Sequence, residues 1–445
     1  MTARRCATLI VGGGPAGTAV LIAAARAGRL GTLAAHGLAV VERGGALGGG
    51  RLGGYGITSD STADTFLSAM RGIDHPAVAA LADHPAVAAI GAHRGTRGVP
   101  LAEVGAFLDV LGGALGDMLR EAGGALIAGH EAVSATRTPG GEWRVRLRAL
   151  ADGGERSVTA GRLVIAAGGH QPLSRLERER VAGDLLVARC GDRLVQSDAL
   201  FSAGGMAMLA ARLGRRPRPR ILVVGGSTSA VTAANKILAD SGLPLGPGAL
   251  TIAHRRPLRL FYPSAEAARA EGYDDFTAAD ICPLSGFVYR LAGLRLDARE
   301  LIVRAFGIGG RTPDPRLALH RIDAQAPQAT LNLIDEADLV VAALGYRPVG
   351  LPLHEVGGAP IPLAGMAQPY RRFVDDQCRV VDAAGVPVPG VFAIGLAAGF
   401  VPHGPLGGEA SFAGQANGLW LWQNAVGAMI VDQLLDGEAP ARAVA

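Results

Sequence analysis

Two short glycine-rich turns carry most of the chemistry legible in this chain. The first, Gly12-Gly13-Gly14-Pro15-Ala16-Gly17, follows a run of β-forming residues (8–11) and leads into an alanine-rich stretch expected to be helical. Gly12, Gly14 and Gly17 have the spacing G-x-G-x-x-G. In a strand–turn–helix unit these glycines allow a tight turn, close approach of the backbone to a pyrophosphate, and close packing of helix on strand. The free N–H groups and the dipole at the helix start then favour the phosphates' negative charge. Glu42 closes the next apolar run, residues 38–41, where a carboxylate can accept hydrogen bonds from ribose hydroxyls. Such a unit suits an adenosine diphosphate moiety.

The second turn is Gly225-Gly226-Ser227-Thr228-Ser229-Ala230, after the apolar residues 221–224. Ser227 and Ala230 stand where the second and third glycines would be, and both keep the approach small. The following apolar run, 250–253, ends in His254-Arg255-Arg256. An acid there would recognise a free ribose 2′-hydroxyl, whereas arginines suit a 2′-phosphate. Two such units imply two different dinucleotides. The pattern points to FAD at the first, held by Gly12, Gly14, Pro15, Ala16, Gly17 and Glu42 with Arg43 and Arg51. It points to NADPH at the second, held by Gly225, Ser227, Thr228, Ser229, Arg255 and Arg256.

The elements that must position these turns follow from periodicity. Residues 101–122 read as a helix, 125–127 as a strand, and 132–136 with 143–148 as a hairpin about Pro139-Gly140-Gly141. Residues 162–169 read as the last strand of the first pass, 338–346 as a returning strand, 347–365 as a connector, and 391–395 as one more strand. A helix is expected from about Gly414 to Leu435. The fold class is therefore α/β with two Rossmann-like domains, the first discontinuous: residues 1–195, then 196–346 for the second domain, then 347–445 returning to the first. The glycine-dense loop 44–55 is a candidate for contact with a flat cofactor ring, since so many glycines demand a close backbone approach. Ser59-Asp60-Ser61 is expected to cap the helix that follows. The repeated Asp-His-Pro-Ala-Val at 74–78 and 83–87 is expected to place His75 and His84 as caps before two short helices.

Composition narrows the classes further. Of the 445 residues, 49% are hydrophobic and 18% charged, as in a globular chain. The formal net charge of +4 comes without a dense basic run, which argues against a nucleic-acid partner. Lys236 is the single lysine, so a lysine nucleophile or Schiff base is excluded at every other position. Cys6, Cys190, Cys282 and Cys378 are scattered, with neither a C-x-x-C pair nor metal-ligand spacing, and no metal is expected. No apolar run reaches the roughly 18 residues of a membrane span. A cytoplasmic enzyme acting on a small molecule is expected, and a homo-oligomer stays open.

With these pieces in order the chain resembles flavoproteins of the glutathione-reductase-type fold, and among them the NADPH-dependent flavin monooxygenases, including the microbial N-hydroxylating ones. The resemblance rests on the GGGPAG-like turn at Gly12–Gly17, the GxSxxA-like turn at Gly225–Ala230, and the A-T-G-Y-like Ala343-Leu344-Gly345-Tyr346. It implies FAD and NADPH as cofactors and insertion of one oxygen atom from O₂ into a small molecule through a flavin C4a-hydroperoxide, the acceptor being an amine nitrogen or another soft nucleophile. It also places Gly395 and the helix start containing Gln415 and Asn417 against the flavin, with His403 and Glu409 as the candidate groups for proton transfer. One departure concerns Gly395, which is followed by Leu396 instead of the aspartate that many relatives carry. Two rival readings share the cofactor motifs: an NADPH-dependent flavin reductase or dehydrogenase passing electrons to a protein or quinone, and a non-catalytic flavin-binding protein.

Overall fold

The computed structural model describes residues 4–95, 98–366, 371–414 and 425–436. Its first sheet is built on β1 (Arg4–Val11), β2 (Leu38–Val41), β3 (Ala125–Ile127), β4 (His130–Arg137), β5 (Trp143–Ala149) and β6 (Glu155–Ile165). The helix α1 (Pro15–Arg26) links β1 to β2, and α2 (Leu101–Glu121) precedes β3. All four residues of β2 are buried, as are Leu9, Ile10 and Val11 of β1, because parallel strands covered on both faces read as unbroken apolar runs. In β5 the pattern alternates instead: Trp143, Val145 and Leu147 point to the core and Arg144, Arg146 and Arg148 to solvent.

The strand β6 joins two architectures. Its first half pairs antiparallel with β5, from Glu155 opposite Arg148 to Ala160 opposite Trp143. Its second half pairs in parallel with β13 (Pro387–Ala393), Leu163 opposite Val391 and Ile165 opposite Ala393. On its other edge β6 runs parallel to β1. The apolar run beginning at Arg162 therefore understates this strand, since residues 155–161 lie in a half-solvated antiparallel ribbon and carry no apolar run.

The chain enters a second sheet at β7 (Leu194–Gln196) and continues through β8 (Ile221–Val224), β9 (Leu250–His254), β10 (Leu317–Arg321) and β11 (Leu339–Ala342). All pairings are parallel, in the order β7-β11-β8-β9-β10. The helix α3 (Thr228–Asp240) connects β8 to β9, and α4 (Leu296–Ala305) packs against it. The chain then returns through β12 (Arg379–Val381), paired antiparallel with β13, and reaches α5 (Gly427–Asp436), which packs on α1. Among the described residues, no helix is long and apolar enough to cross a membrane.

Four local expectations are resolved. His75 and His84 do cap the two short helices, their Nδ1 atoms accepting from the N–H groups of Ala77 at 3.2 Å and Ala86 at 3.1 Å. The cap of the helix Ala63–Leu67 is Thr62, not Ser59-Asp60-Ser61: its hydroxyl accepts from Thr65 N–H. The segment 347–365 is more than a connector, for Arg347–Pro348 pairs with Gly169–His170 and Leu353–His354 adds to the edge of β4. Much of the glycine density in 44–55 serves packing on α2. A Cβ on Gly48 would lie 2.5 Å from Asp109 Cα, and one on Gly112 would lie 2.2 Å from the Leu47 carbonyl oxygen. Gly50 does turn toward the first dinucleotide turn, where a Cβ would lie 3.3 Å from Gly14 Cα.

Candidate functional site

The first turn is a backbone cradle. Gly12 adopts φ +103°, and a Cβ there would stand 2.5 Å from the carbonyl oxygen of Ala166 at the end of β6. A Cβ on Gly17 would stand 1.9 Å from the Gly12 carbonyl oxygen, so the helix start and the turn touch directly. At Gly14 the nearest atom is Gly50 Cα at 3.7 Å, and no side chain caps α1 there. The Glu42 carboxylate is fixed beside this turn, Oε2 accepting from Gly13 N–H at 2.5 Å and Oε1 from Gly44 N–H at 2.7 Å. Gly395, at φ +120°, leaves β13 against α1, where its Cβ would meet that of Ala16 at 3.2 Å. The structure thus gathers Gly12, Gly14, Pro15, Ala16, Gly17, Glu42 and Gly395 into one place. Arg43 points away, exposed and 3.7 Å from Glu131.

The second turn repeats the construction. Gly225 has φ +145°, and a Cβ would stand 2.3 Å from the Ala343 carbonyl oxygen just past β11. Ser227 begins α3 with no side-chain cap, followed by Thr228 and Ser229. His254 is buried, its Nδ1 2.8 Å from the Arg256 carbonyl oxygen. Arg255 and Arg256 are both exposed at the strand end. Arg255 is not idle: its Nη2 donates to Glu179 Oε1 at 3.0 Å and to the carbonyl of Arg180. A small crevice at the C-terminal edge of this sheet is lined by Gln171, Arg175, Gln196, Ala342, Leu344 and Gly345. Open α/β sheets bind ligands at that edge.

Between the two turns runs a seam held by a residue that sequence reasoning missed. Asp198 Oδ1 accepts from the hydroxyls of Tyr55 at 2.8 Å and Tyr346 at 2.7 Å, while Oδ2 lies 3.3 Å from Arg51 Nη2. One carboxylate therefore binds the loop after β2 to both chain crossings between the sheets. Burial, then the Asp198 hydrogen bond and charge, push the Tyr55 hydroxyl up to about 12, and Tyr346 is raised further by burial, Tyr55 and Asp198. Both stay protonated donors. Lys236 reinforces the seam by donating to the Gly56 carbonyl at 2.5 Å. Nothing in Gln196-Ser197-Asp198 distinguishes this aspartate from an ordinary polar helix start; only the fold brings its partners together. Asp198→Ala should lower the unfolding free energy by about 2–4 kcal/mol, since it orphans two buried-side hydroxyls and a guanidinium contact. A denaturant titration reads this as a lower midpoint at unchanged slope, with Asp198→Asn losing less because one acceptor oxygen remains.

The loop 403–412 is strapped to the second lobe. Glu409 is buried, and its carboxylate accepts from Leu291 N–H at 3.0 Å and Ala292 N–H at 2.7 Å. Ser411 Oγ donates to Asp280 at 2.6 Å, and Arg290 donates to the Leu406 carbonyl at 2.9 Å. Beneath lies Cys282, whose Sγ accepts from Gly408 N–H at 3.2 Å and Arg290 at 3.4 Å. Burial alone would raise this thiol, but the Ser285, Gly408 and Arg290 hydrogen bonds outweigh it and bring it to about 6. The two candidates for proton transfer are thereby separated: Glu409 is committed to backbone amides, and His403 stands exposed 3.8 Å from Asp376. Gln415 and Asn417 lie outside the described residues.

No family model matches this sequence. The CMP-5′-(3-aminopropyl)phosphonate hydroxylase of Streptomyces rubellomurinus (strain ATCC 31215) is 34% identical over 446 residues, spanning 96% of this chain and 97% of the relative. The chain belongs to the family of that hydroxylase. Its fold is shared with the FAD-bound cadaverine monooxygenase of the desferrioxamine pathway from Erwinia amylovora, at TM-score 0.56 and 14% identity over 98% of this chain and 96% of that one. It is shared as well with the ornithine N-hydroxylase of Kutzneria sp. 744, solved with reduced FAD, NADP⁺ and L-ornithine, at TM-score 0.54 and 15% identity over 97% and 99%. The fold shared with these flavin monooxygenases covers 97–98% of this chain, well beyond the three short motifs, and this hydroxylase-family protein is an oxidoreductase.

Proposed function

We propose that this protein is an FAD-dependent, NADPH-using monooxygenase that places one oxygen atom from O₂ on the amine nitrogen of a small molecule, and that this molecule is an aminoalkylphosphonate joined to a cytidine nucleotide. The observation that carries the reading is end-to-end similarity to a hydroxylase of such a substrate. Residues 1–195 with 347–445 hold FAD in this reading, and 196–346 hold NADPH. With Cys190, Cys282 and Cys378 as free thiols, the protein is read as cytoplasmic.

The residues present fit both groups. At Gly12 and Gly17 the backbone leaves no room for side chains, and Gly14 opens α1 as an uncapped helix start, as a pyrophosphate requires. At the second turn a Cβ on Gly225 would likewise meet backbone, and Ser227, Thr228 and Ser229 form the uncapped start of α3. When bound, the flavin supplies the redox chemistry, linking reducing equivalents from NADPH to transfer of one oxygen atom. The chain's own work is placement: Glu42 stands beside the first turn for the adenosine ribose, and Gly395 closes the cradle from the far strand. Arg255 and Arg256 stand where a 2′-phosphate arrives. Glu409 holds the strap 403–412 in register and is assigned no proton, and His403 is assigned no step.

Release of the cofactor followed by chromatography should identify FAD. Holoenzyme given NADPH, O₂ and the CMP-linked aminopropylphosphonate should yield a product heavier by one oxygen atom, with one NADPH consumed per product. FMN as the released flavin would overturn the first-turn assignment. NADPH oxidation that never yields an oxygenated amine would return the reductase reading.

A further inference from the structure

We infer that Glu179 sets how strongly this enzyme distinguishes NADPH from NADH, by holding a negative charge against the arginine that meets the 2′-phosphate. The inference rests on the NADPH reading above. Glu179 comes from outside the second dinucleotide unit, between the short helix Leu173–Leu176 and the strand Arg180–Val181. That segment is firmly seated: Leu176, Val181 and Leu186 are buried against Leu222, Val224 and Ala253, the side chains beneath β8 and β9. The carboxylate is 15% exposed and has a guanidinium on each oxygen, Arg255 Nη2 at 3.0 Å and Arg175 Nη2 at 3.5 Å.

Three features give this contact a definite sign. Arg255 Nη2 is spent on Glu179 and the Arg180 carbonyl, so an arriving phosphate meets the remaining face of the same guanidinium. A phosphate there lies across one planar group from a carboxylate that is mostly shielded from water, where like charges repel more strongly than at an open surface. The Arg180 carbonyl also keeps Arg255 in place when Glu179 is made neutral, so removing the charge changes electrostatics more than position. Arg256 is exposed, and among the described residues no acid pairs with its side chain. The site thus contains one restrained arginine and one open one. NADH, with a hydroxyl in place of the phosphate, feels no such opposition.

Binding of 2′,5′-ADP and 5′-AMP to the FAD-containing protein isolates the phosphate, because the two ligands differ in that group alone. Glu179→Gln should tighten 2′,5′-ADP about threefold to tenfold, measured by calorimetry, and leave 5′-AMP within about twofold. In an Arg255→Gln background the same substitution should produce no gain. A Glu179→Gln protein that binds 2′,5′-ADP no tighter, while the parent prefers it over 5′-AMP, overturns the inference and leaves the NADPH reading standing. If neither parent nor variant discriminates between the ligands, both fall. A parent that does not discriminate beside a variant that does supports Glu179 as the restraint.

Discussion

Gly17→Ala protein is expected to purify without flavin, whereas Gly225→Ala protein should be yellow and nearly inert toward NADPH. Each substitution adds one methyl group where backbone already stands: 1.9 Å from the Gly12 carbonyl oxygen in the first case, 2.3 Å from the Ala343 carbonyl oxygen in the second. No flexible side chain can yield at either point. At position 17 relief requires lifting α1 off its turn, which removes the N–H groups from the place where phosphates arrive. At position 225 the φ of +145° is itself closed to alanine. Overpacking of this kind costs about 1–3 kcal/mol or more, enough for a loss of affinity on the order of a hundredfold. The two turns sit on different sheets, so flavin absorbance per protein and the rate of flavin reduction by NADPH should separate cleanly. Gly31→Ala is the matched control, since a Cβ there meets nothing within 4 Å. Gly17→Ala protein retaining a full complement of tightly bound flavin would contradict the cradle.

Glu409→Ala should cost about 2–4 kcal/mol of stability, and Glu409→Gln a smaller part of that. The alanine leaves the Leu291 and Ala292 N–H groups without their acceptor in a buried setting. The glutamine keeps Oε1, which accepts from both N–H groups, but loses the charge and turns its NH₂ toward Leu291 N–H, which also reaches Oε2 at 3.0 Å. Denaturant midpoints should fall for both, and Ser411→Ala, which loses the bond to Asp280, should fall less. A proton-donating Glu409 would behave differently: Gln would leave the midpoint unchanged and reduce only product formed per NADPH. That result would reinstate it as a catalytic group.

Both dinucleotide turns are legible in the sequence because they are local. A strand, three small residues at fixed spacing and a helix lie within about twenty residues, and the structure places them as strand–turn–helix units on two sheets. Glu42 lies 29 positions from Gly13, and the parallel pairing of β1 with β2 brings it beside the turn. What stays hidden is what needs two distant segments at once. Asp198 matters only because Tyr55 and Tyr346 reach it from 143 and 148 positions away. Glu179 matters only because the strand end at Arg255 comes beside it. Glu409 reads in the sequence as an acid beside a glycine-rich loop, and the backbone 118 positions earlier from which it accepts is visible only in the fold. The glycines of loop 44–55 suggest a cofactor contact by their density alone, yet most of their closeness is to α2.

The division of β6 between early and late partners also bears on how the protein is made. Its neighbours β1 and β5 emerge from the ribosome before or with it, but β13, which completes its second half, follows some 220 residues later. The second sheet, by contrast, draws all its strands from one continuous stretch, 194–342. Domains tend to fold as units during synthesis, so the second sheet is complete while the first still waits for its last strand and for Gly395. Translation rate through residues 343–395 then governs how long the first sheet stays unfinished and open to aggregation or to proteases, and a cradle that includes Gly395 can close only after that stretch has left the ribosome.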